Sequence, residues 1–242
     1  MKKLLYFGLF VIIGLAFSYI PINQIVGSDK YFSFFELSGP TVGAFLGGFA
    51  GALSVLIVKL LYTLFDGKSF DLVTFVRLFP MVFAALYFST RSVRRDSFSK
   101  LISKSSTLSK RLKTLVSLSG VIIPVICIVL FVIHPEGRQA FLFSAFWLIP
   151  IIASFQKRSL ILRSLGATFT AHAIGSVTFL YAFGLPAPVW NSLIPVVILE
   201  RGLFTVGIAA FYMASNTAFA FMTQFVSLKG LSLDKKYLFW RP

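Results

Sequence analysis

The sequence predicts an all-α, polytopic helical membrane protein that forms a single membrane domain over residues 1–242. Three observations support this fold class. Hydrophobic residues make up 57% of the chain and charged residues only 13%, whereas a soluble domain carries roughly 25% charged residues. Apolar segments long enough to cross a hydrocarbon core of about 30 Å recur from end to end. The basic residues, which give a net charge of +15, collect between these segments and therefore indicate a membrane surface rather than a nucleic acid.

We expect about seven or eight membrane segments, with kinked and glycine-rich helices. The candidate segments are residues 4–20, 34–65, 70–90, 115–134, 140–155, 160–184 and 189–226. The N-terminal run also fits a secretory signal that ends at residues 16–18. A retained first span is favoured, because the apolar run continues to Ile20 without a polar region. Prolines lie within or near most segments, as is tolerated where neighbouring helices or a water-filled cavity satisfy the backbone.

The basic connections give the expected orientation. Residues 91–113 hold eight lysines and arginines against one acid, Asp96. The positive-inside rule places this loop, residues 157–158 with Arg163, and the tail 227–242 in the cytoplasm, together with both termini. The loop is most simply a solvated cytoplasmic segment, and the alternative is that it binds anionic lipid or a cytosolic partner.

Residues 34–65 conflict with this orientation if they form a single span, because the N-terminus and the 91–113 loop would then lie on opposite sides. Four glycines occur in this segment at four-residue spacing: Gly39, Gly43, Gly47 and Gly51. They fit a continuous helix whose glycine ridge packs on a neighbour. They also fit a hairpin of two short helices broken near Gly47 and Gly48, where the conformational freedom of glycine is needed. We favour the hairpin because it satisfies the charge rule.

Ionisable side chains inside the apolar segments indicate where the working site lies. They are Lys59, Arg77, His172, Glu200 and Arg201. A charge at the bilayer centre costs at least about 2.5–3.5 kcal/mol, so such residues need partners or a function. At 1.5 Å per helical residue, Glu200 lies about 16 Å beyond Val189 and His172 about 18 Å from Gly184. Lys59 and Arg77 lie about 9–10 Å from the outer end, where they can also reach water by snorkelling.

Helical spacing places several of these residues around one cavity. Thr168, His172 and Ser176 recur every four residues and predict a polar stripe on one helix face. Adjacent helix positions point about 100° apart, so Glu200 and Arg201 are expected to engage different partners. Glu200 would pair with Lys59 or Arg77 or accept a hydrogen bond from His172, and a structural salt bridge is the alternative. Trp190 and Asn191 would supply a stacking ring and an amide at the outer mouth.

The charge balance and the missing motifs limit the function. Three cations against one acid in the interior favour an anionic or carboxylate-bearing solute. The sequence contains no HExxH, GxSxG or Walker motif, and its one cysteine, Cys127, cannot form an intrachain disulfide. We therefore predict no enzyme activity, no cofactor and no metal site, so active transport would need a partner or an ion gradient. An intramembrane enzyme that uses His172 and Glu200 and a structural or assembly protein are the alternatives.

One part of the chain resembles a known family. A short first segment and an outer loop are followed by the glycine- and alanine-rich run of residues 37–54, which begins Leu-Ser-Gly-Pro-Thr-Val-Gly-Ala. Residues 4–65 thereby resemble the substrate-binding (S) components of energy-coupling factor transporters. The resemblance implies capture of a micronutrient at a prokaryotic cytoplasmic membrane, together with a transmembrane coupling subunit and a pair of ATPases. In that family small residues of the first helix contact the coupling subunit, and Gly14 and Ser18 are the nearest match here.

Overall fold

A computed structural model describes residues 2–24, 31–67, 70–89, 106–156, 159–228 and 230–240. For residues 2–3 and 106–117 the description covers the backbone only. Apart from one short β-hairpin, the regular structure in these ranges is helical, which confirms the predicted all-α class. The predicted 91–113 loop lies largely outside these residues, and its last part, from residue 106, belongs to a helix.

The helices have the following bounds. They are α1 (Lys2–Ser18), α2 (Phe35–Leu46), α3 (Gly48–Phe65), α4 (Leu72–Val76), α5 (Phe79–Ser89), α6 (Ser106–Ile133), α7 (Pro135–Gln139), α8 (Phe141–Ser144), α9 (Leu148–Phe155), α10 (Leu160–Phe183), α11 (Ala187–Ser192) and α12 (Ile194–Met222). Single 3-10 turns cover Ala145–Trp147 and Lys235–Tyr237. Strands β1 (Pro21–Gln24) and β2 (Tyr31–Ser33) pair antiparallel, with Gln24 opposite Tyr31 and an irregularity between Pro21 and Asn23.

Local hydrogen bonds explain several helix ends. The Asp71 carboxylate accepts a hydrogen bond from the Thr74 amide at 2.7 Å and caps α4, and this bond lowers the pKa of Asp71. The Ser159 hydroxyl accepts from the Leu162 amide where α10 begins. Gly184 ends α10 in the left-handed conformation, with φ of 58°, which glycine adopts without steric cost.

Gly47 divides the predicted segment 34–65 into a helical hairpin. Its φ of 92° and ψ of 164° end α2 and start α3. A Cβ atom on Gly51 would overlap the backbone of Gly43, and these two glycines lie four residues to either side of Gly47. The chain therefore folds back on itself, so the prediction of a break near Gly47 is confirmed.

The predicted helix-packing residues also join other helices. A Cβ atom on Gly43 would overlap the backbone of Ala85 on α5. Gly43 therefore allows the close approach of both α3, through Gly51, and α5. On Gly14 a Cβ atom would lie 2.9 Å from the Phe35 ring and 3.0 Å from Val58. Gly14 therefore packs α1 onto the hairpin of its own chain.

The remaining two predicted packing residues fit the same pattern. The Ser18 hydroxyl is buried and donates a hydrogen bond to the Gly14 carbonyl at 2.9 Å, within α1. A Cβ atom on Gly39 would lie 3.0 Å from the Met81 side chain on α5. Small side chains at these places let α1, α2, α3 and α5 approach closely, as in other small-residue helix interfaces.

Helix α5 lies at the centre of the bundle, between the hairpin and α10. The Tyr87 hydroxyl donates to the Pro150 carbonyl at 2.7 Å, and a Cβ atom on Gly166 would overlap the Tyr87 ring. Arg163, which the charge rule places in a cytoplasmic connection, is instead buried in α10. Its Nη2 donates to the Phe88 carbonyl at 2.7 Å, so it binds the carbonyl end of α5.

The two ends of the bundle are recognisable from contacts between distant residues. At one end, which we call the basic end, the start of α1 meets the segment after α12 through the hydrogen bond from Tyr6 to the Ser227 carbonyl. At the opposite end the Tyr19 and Tyr62 rings lie 5.1 Å apart. The chain enters or leaves the regions 90–105 and 157–158 at the basic end, since α5 ends and α10 begins there.

Three described helical stretches are long and apolar enough to cross a membrane, namely Gly48–Phe65, Leu72–Ser89 and Ile194–Met222. Shorter apolar stretches cover Leu4–Ser18, Leu118–Ile133 and Phe141–Phe155. The larger count of seven or eight segments stays a prediction. The predicted segment 140–155 corresponds to the apolar stretch Phe141–Phe155, which contains a 3-10 turn. The predicted single segment 189–226 is instead divided into α11 and α12.

The close approach of Gly43 and Gly51 generates a stability prediction. Gly51→Ala should destabilise the protein by about 1–3 kcal/mol, the usual cost of overpacking a filled interior. Thermal unfolding of the detergent-purified protein measures the change. Gly175→Ala is the matched control, because a Cβ atom there meets open space and alanine is favoured over glycine inside a helix by about 0.5–1 kcal/mol. A Gly51→Ala variant as stable as the wild type would contradict the fold-back.

Candidate functional site

Arg201 on α12 is the centre of the candidate site. The residue is only 6% exposed. Its Nη2 lies 3.1 Å from Glu200 Oε2, and its Nη1 lies 3.5 Å from the Thr168 hydroxyl on α10. The expectation that Glu200 and Arg201 engage different partners is therefore wrong. The Cα–Cβ bonds of the two residues point in different directions around the helix. Their side chains are long, however, and have enough torsional freedom to meet.

The pair lies closer to the helix start than its distance from Val189 suggests. Because α11 ends at Ser192 and α12 begins at Ile194, Glu200 is six residues into its helix. This corresponds to about 9 Å along the axis rather than about 16 Å. The burial of Arg201 thus depends on the elements packed around it more than on its depth in α12.

Two aromatic rings cover the Arg201 guanidinium. Its Cζ lies 5.0 Å from the centroid of the Phe32 ring on β2 and 4.7 Å from that of Phe204 on α12. Both distances fall within the range of cation–π attraction. The β-hairpin therefore contributes directly to the site. Among the described residues, the Arg201 Nε has no hydrogen-bond acceptor.

A second ion pair joins the two helices of the hairpin. Lys59 Nζ lies 3.0 Å from Glu36 Oε1, and each side chain is 20% exposed. Glu36 precedes Gly47 by eleven residues and Lys59 follows it by twelve, so the fold-back itself brings them together. Glu36 is also close enough to Arg201 for electrostatic attraction between the two groups.

Sequence reasoning missed Glu36 because it stands at the edge of an apolar segment, where an acid is expected to face water. The available signal was its spacing from Lys59, which is symmetrical about Gly47 once the hairpin is accepted. Its presence adds a second acid to the interior, whereas Arg163, which is buried in α10, adds a fourth cation. The interior therefore keeps the predicted excess of two positive charges.

His172 has protein partners on both ring nitrogens. The Trp147 Nε1–H donates to His172 Nδ1 at 3.2 Å, and because an indole nitrogen can only donate, Nδ1 must be the acceptor. The proton of the neutral ring then sits on Nε2, 3.4 Å from the Ser176 hydroxyl. The Phe143 and Phe169 rings pack against the imidazole, with centroids 5.4 and 5.9 Å away.

The predicted polar stripe on α10 is therefore divided between two environments. Thr168, at one end, contacts Arg201. His172 and Ser176, at the other, contact each other inside an aromatic cluster with Trp147. The predicted hydrogen bond from His172 to Glu200 is replaced by the ion pair of Glu200 with Arg201.

Three further predicted site residues lie in other surroundings. The Arg77 guanidinium stacks 5.3 Å from the Phe179 ring of α10. Trp190 is buried, packs on the Phe131 ring and donates to the Leu185 carbonyl at 3.0 Å, so it belongs to the core rather than to an open mouth. Asn191 is exposed on α11. The structure brings together Arg201, Glu200, Thr168, Glu36 and Lys59, and this set is the candidate site.

Other features of the described chain offer no competing site. Within the described ranges, no three His, Cys, Asp or Glu side chains converge where they could hold a metal ion. A surface cleft of about 460 Å³ is lined by residues 223–228. That cleft lies beyond the other end of α12, about 30 Å from Arg201 along the axis.

Comparison with known proteins gives no assignment: no protein-family model, no curated protein and no solved structure matches this chain. The resemblance of residues 4–65 to S components therefore stays a prediction. A functional proposal has to be built on the residues of the candidate site and their geometry.

The Glu36–Lys59 contact generates a double-mutant prediction. Glu36→Gln and Lys59→Met should each destabilise the protein, and the double variant should lose less than the sum, with a coupling energy of about 0.5–3 kcal/mol. Combining Glu36→Gln with Arg138→Gln, an exposed residue on α7, is the control and should be additive. Chemical unfolding of the purified variants measures both cycles. Additivity of the Glu36 and Lys59 changes would contradict the contact.

Proposed function

We propose that this chain is an integral membrane transport protein that binds a small, carboxylate-bearing or otherwise anionic solute at Arg201. One observation carries the proposal, namely the buried guanidinium whose Nε has no acceptor among the described residues. A buried donor left without an acceptor costs about 1–3 kcal/mol. A solute oxygen at this position would remove that cost with a charge-assisted hydrogen bond, which is among the strongest single polar contacts available.

The surroundings of Arg201 support a bound solute. Phe32 and Phe204, whose rings contact each other, provide an apolar wall against the guanidinium, and ligand sites combine such walls with a few placed polar groups. Thr168 adds a hydroxyl from α10. The ion pair of Glu36 and Lys59 joins α2 to α3 nearby. We propose that the solute enters from the end of the bundle that carries β1 and β2, in an outward-facing cavity.

The surface of the bundle supports a membrane location. Large apolar side chains are exposed along α12, among them Leu199, Leu203 and Val206. A contiguous surface of this kind is unfavourable in water and suits contact with lipid. The basic segments leave the bundle at one end, so the positive-inside rule supports cytoplasmic termini and about seven or eight membrane segments.

The energy for transport would come from partners. The sequence holds no nucleotide-binding motif, and the resemblance of residues 4–65 to S components implies a coupling subunit with two ATPases. The proposed location in a prokaryotic cytoplasmic membrane rests on the same resemblance. The alternative of an intramembrane enzyme needs His172 and Glu200 to act together, whereas their polar atoms are held by Trp147, Ser176 and Arg201.

The proposal predicts that Arg201→Lys strongly weakens solute binding. Lysine keeps the charge but lacks the Nε donor and the planar fork of arginine, and losing one charge-assisted bond should weaken binding roughly 10- to 100-fold. Native mass spectrometry of the mildly purified protein would show a co-purifying solute in the wild type and its loss in the variant.

Arg138→Lys is the matched control, because that arginine is exposed on α7 and should keep the solute. Retention of the solute by folded Arg201→Lys protein would contradict the proposed site. A wild-type protein without any small molecule, in which Arg201→Lys and Glu200→Gln change stability alone, would favour the structural or assembly role. Substrate turnover by the purified chain alone, lost in His172→Ala and Glu200→Gln, would favour the alternative of an intramembrane enzyme.

A further inference from the structure

The predicted cytoplasmic tail is in part a docked segment. We call residues 230–240 the strap. Asn216 on α12 is fully buried, and its Nδ2 donates to the carbonyls of Asp234 and Tyr237, both at 2.9 Å. Its Oδ1 accepts from the Asp234 amide at 3.0 Å. One buried asparagine thus satisfies three backbone groups of the strap, as its two donors and one acceptor allow.

Further hydrogen bonds and a ring contact hold the strap on both sides of the residues that Asn216 binds. The Ser232 amide donates to the Phe45 carbonyl at 2.9 Å, which satisfies a carbonyl left open at the end of α2. The Phe239 amide donates to the Thr217 hydroxyl at 3.0 Å. The Tyr237 ring is buried against Tyr212. The strap is therefore held along its length at the basic end of the bundle.

The side chains that the docked strap exposes are of two kinds. Phe239 and Trp240 are each 58% exposed, and Lys235 and Lys236 are exposed beside them. Tryptophan, whose ring is amphipathic, is enriched at the level of the headgroups in membrane–water interfaces, and the apolar Phe239 ring beside it suits contact with lipid. Each lysine near an anionic leaflet contributes attraction to its lipids. The hydrogen bonds with Asn216 hold the strap so that these groups point away from the core.

Neighbouring elements add exposed apolar side chains at the same end of the bundle. The end of the bundle that carries the strap also exposes Leu4 and Leu5 of α1 and Phe225 after α12. The hydrogen bond from Tyr6 to the Ser227 carbonyl joins these two elements. Apolar groups from three parts of the chain thus lie at the same end as the two lysines.

We propose that the strap is a docking element for anionic phospholipid. Phe239 and Trp240 insert at the interface, and Lys235 and Lys236 contact the lipid phosphates. The strap carries two lysines and one acid, Asp234, so residues 230–240 keep a net positive charge. This role is independent of the solute bound at Arg201.

Quenching of tryptophan fluorescence by brominated lipid tests the proposal on the full chain. The protein would be reconstituted in vesicles of phosphatidylcholine, or of phosphatidylcholine mixed with phosphatidylglycerol, with either lipid brominated in turn. The signal of Trp240 is the difference between the wild type and Trp240→Phe. Trp190→Phe is the matched control. Because Trp190 is buried, its difference signal should be quenched little by either brominated lipid.

Brominated phosphatidylglycerol should quench the Trp240 signal more strongly than brominated phosphatidylcholine. In the double variant Lys235→Gln/Lys236→Gln this preference should fall by roughly fivefold for each lysine removed. No quenching of the Trp240 signal, or equal quenching by the two lipids in the wild type, would overturn the proposal. A surface that instead binds a protein partner would give the first of these results.

Discussion

The close approach of Gly43 and Gly51 across Gly47 is the constraint on which the rest of the structure depends. Any side chain at these two positions would separate α2 from α3, and Gly43 also admits the backbone of α5. The fold-back places Glu36 beside Lys59. It also seats α5 between the hairpin and α10, which in turn carries Thr168 to Arg201. A backbone feature of one short segment thus positions the side chains of three helices.

The two ion pairs of the site solve the problem of buried charge in different ways. Removing charges from water is costly unless good geometry and further contacts compensate. Glu200 and Arg201 are neighbours in sequence, so their pairing needs no particular arrangement of helices, and the rings of Phe32 and Phe204 add attraction for the cation. Lys59 and Glu36 meet only because the hairpin closes, so their pairing reports on tertiary structure. Arg201 has a donor left over among the described contacts, and for this reason it is the better candidate for a solute.

Sequence reasoning was successful where a single physical rule dominates. The positive-inside rule and the glycine spacing together located the break at Gly47, because only a fold-back reconciles them. It failed where side-chain reach or tertiary packing decides. The Glu200–Arg201 pair was misjudged from backbone directions, and Glu36 was read as an edge residue. Arg163 was assigned to a loop because its burial against Phe88 has no local signature. The docking of the strap was missed because it depends on contacts with Asn216, a residue of another element.

The side of the membrane on which residues 31 and 65 lie tests the fold-back most directly. Tyr31 and Phe65 flank the hairpin and are both exposed. Tyr31→Cys and Phe65→Cys would be introduced one at a time in a Cys127→Ala background, and an impermeant maleimide would be applied to intact cells and to inverted vesicles. The account predicts that both cysteines react from the same side, opposite to that of the N-terminus. Labelling of the two positions from opposite sides would show a single span and would contradict it.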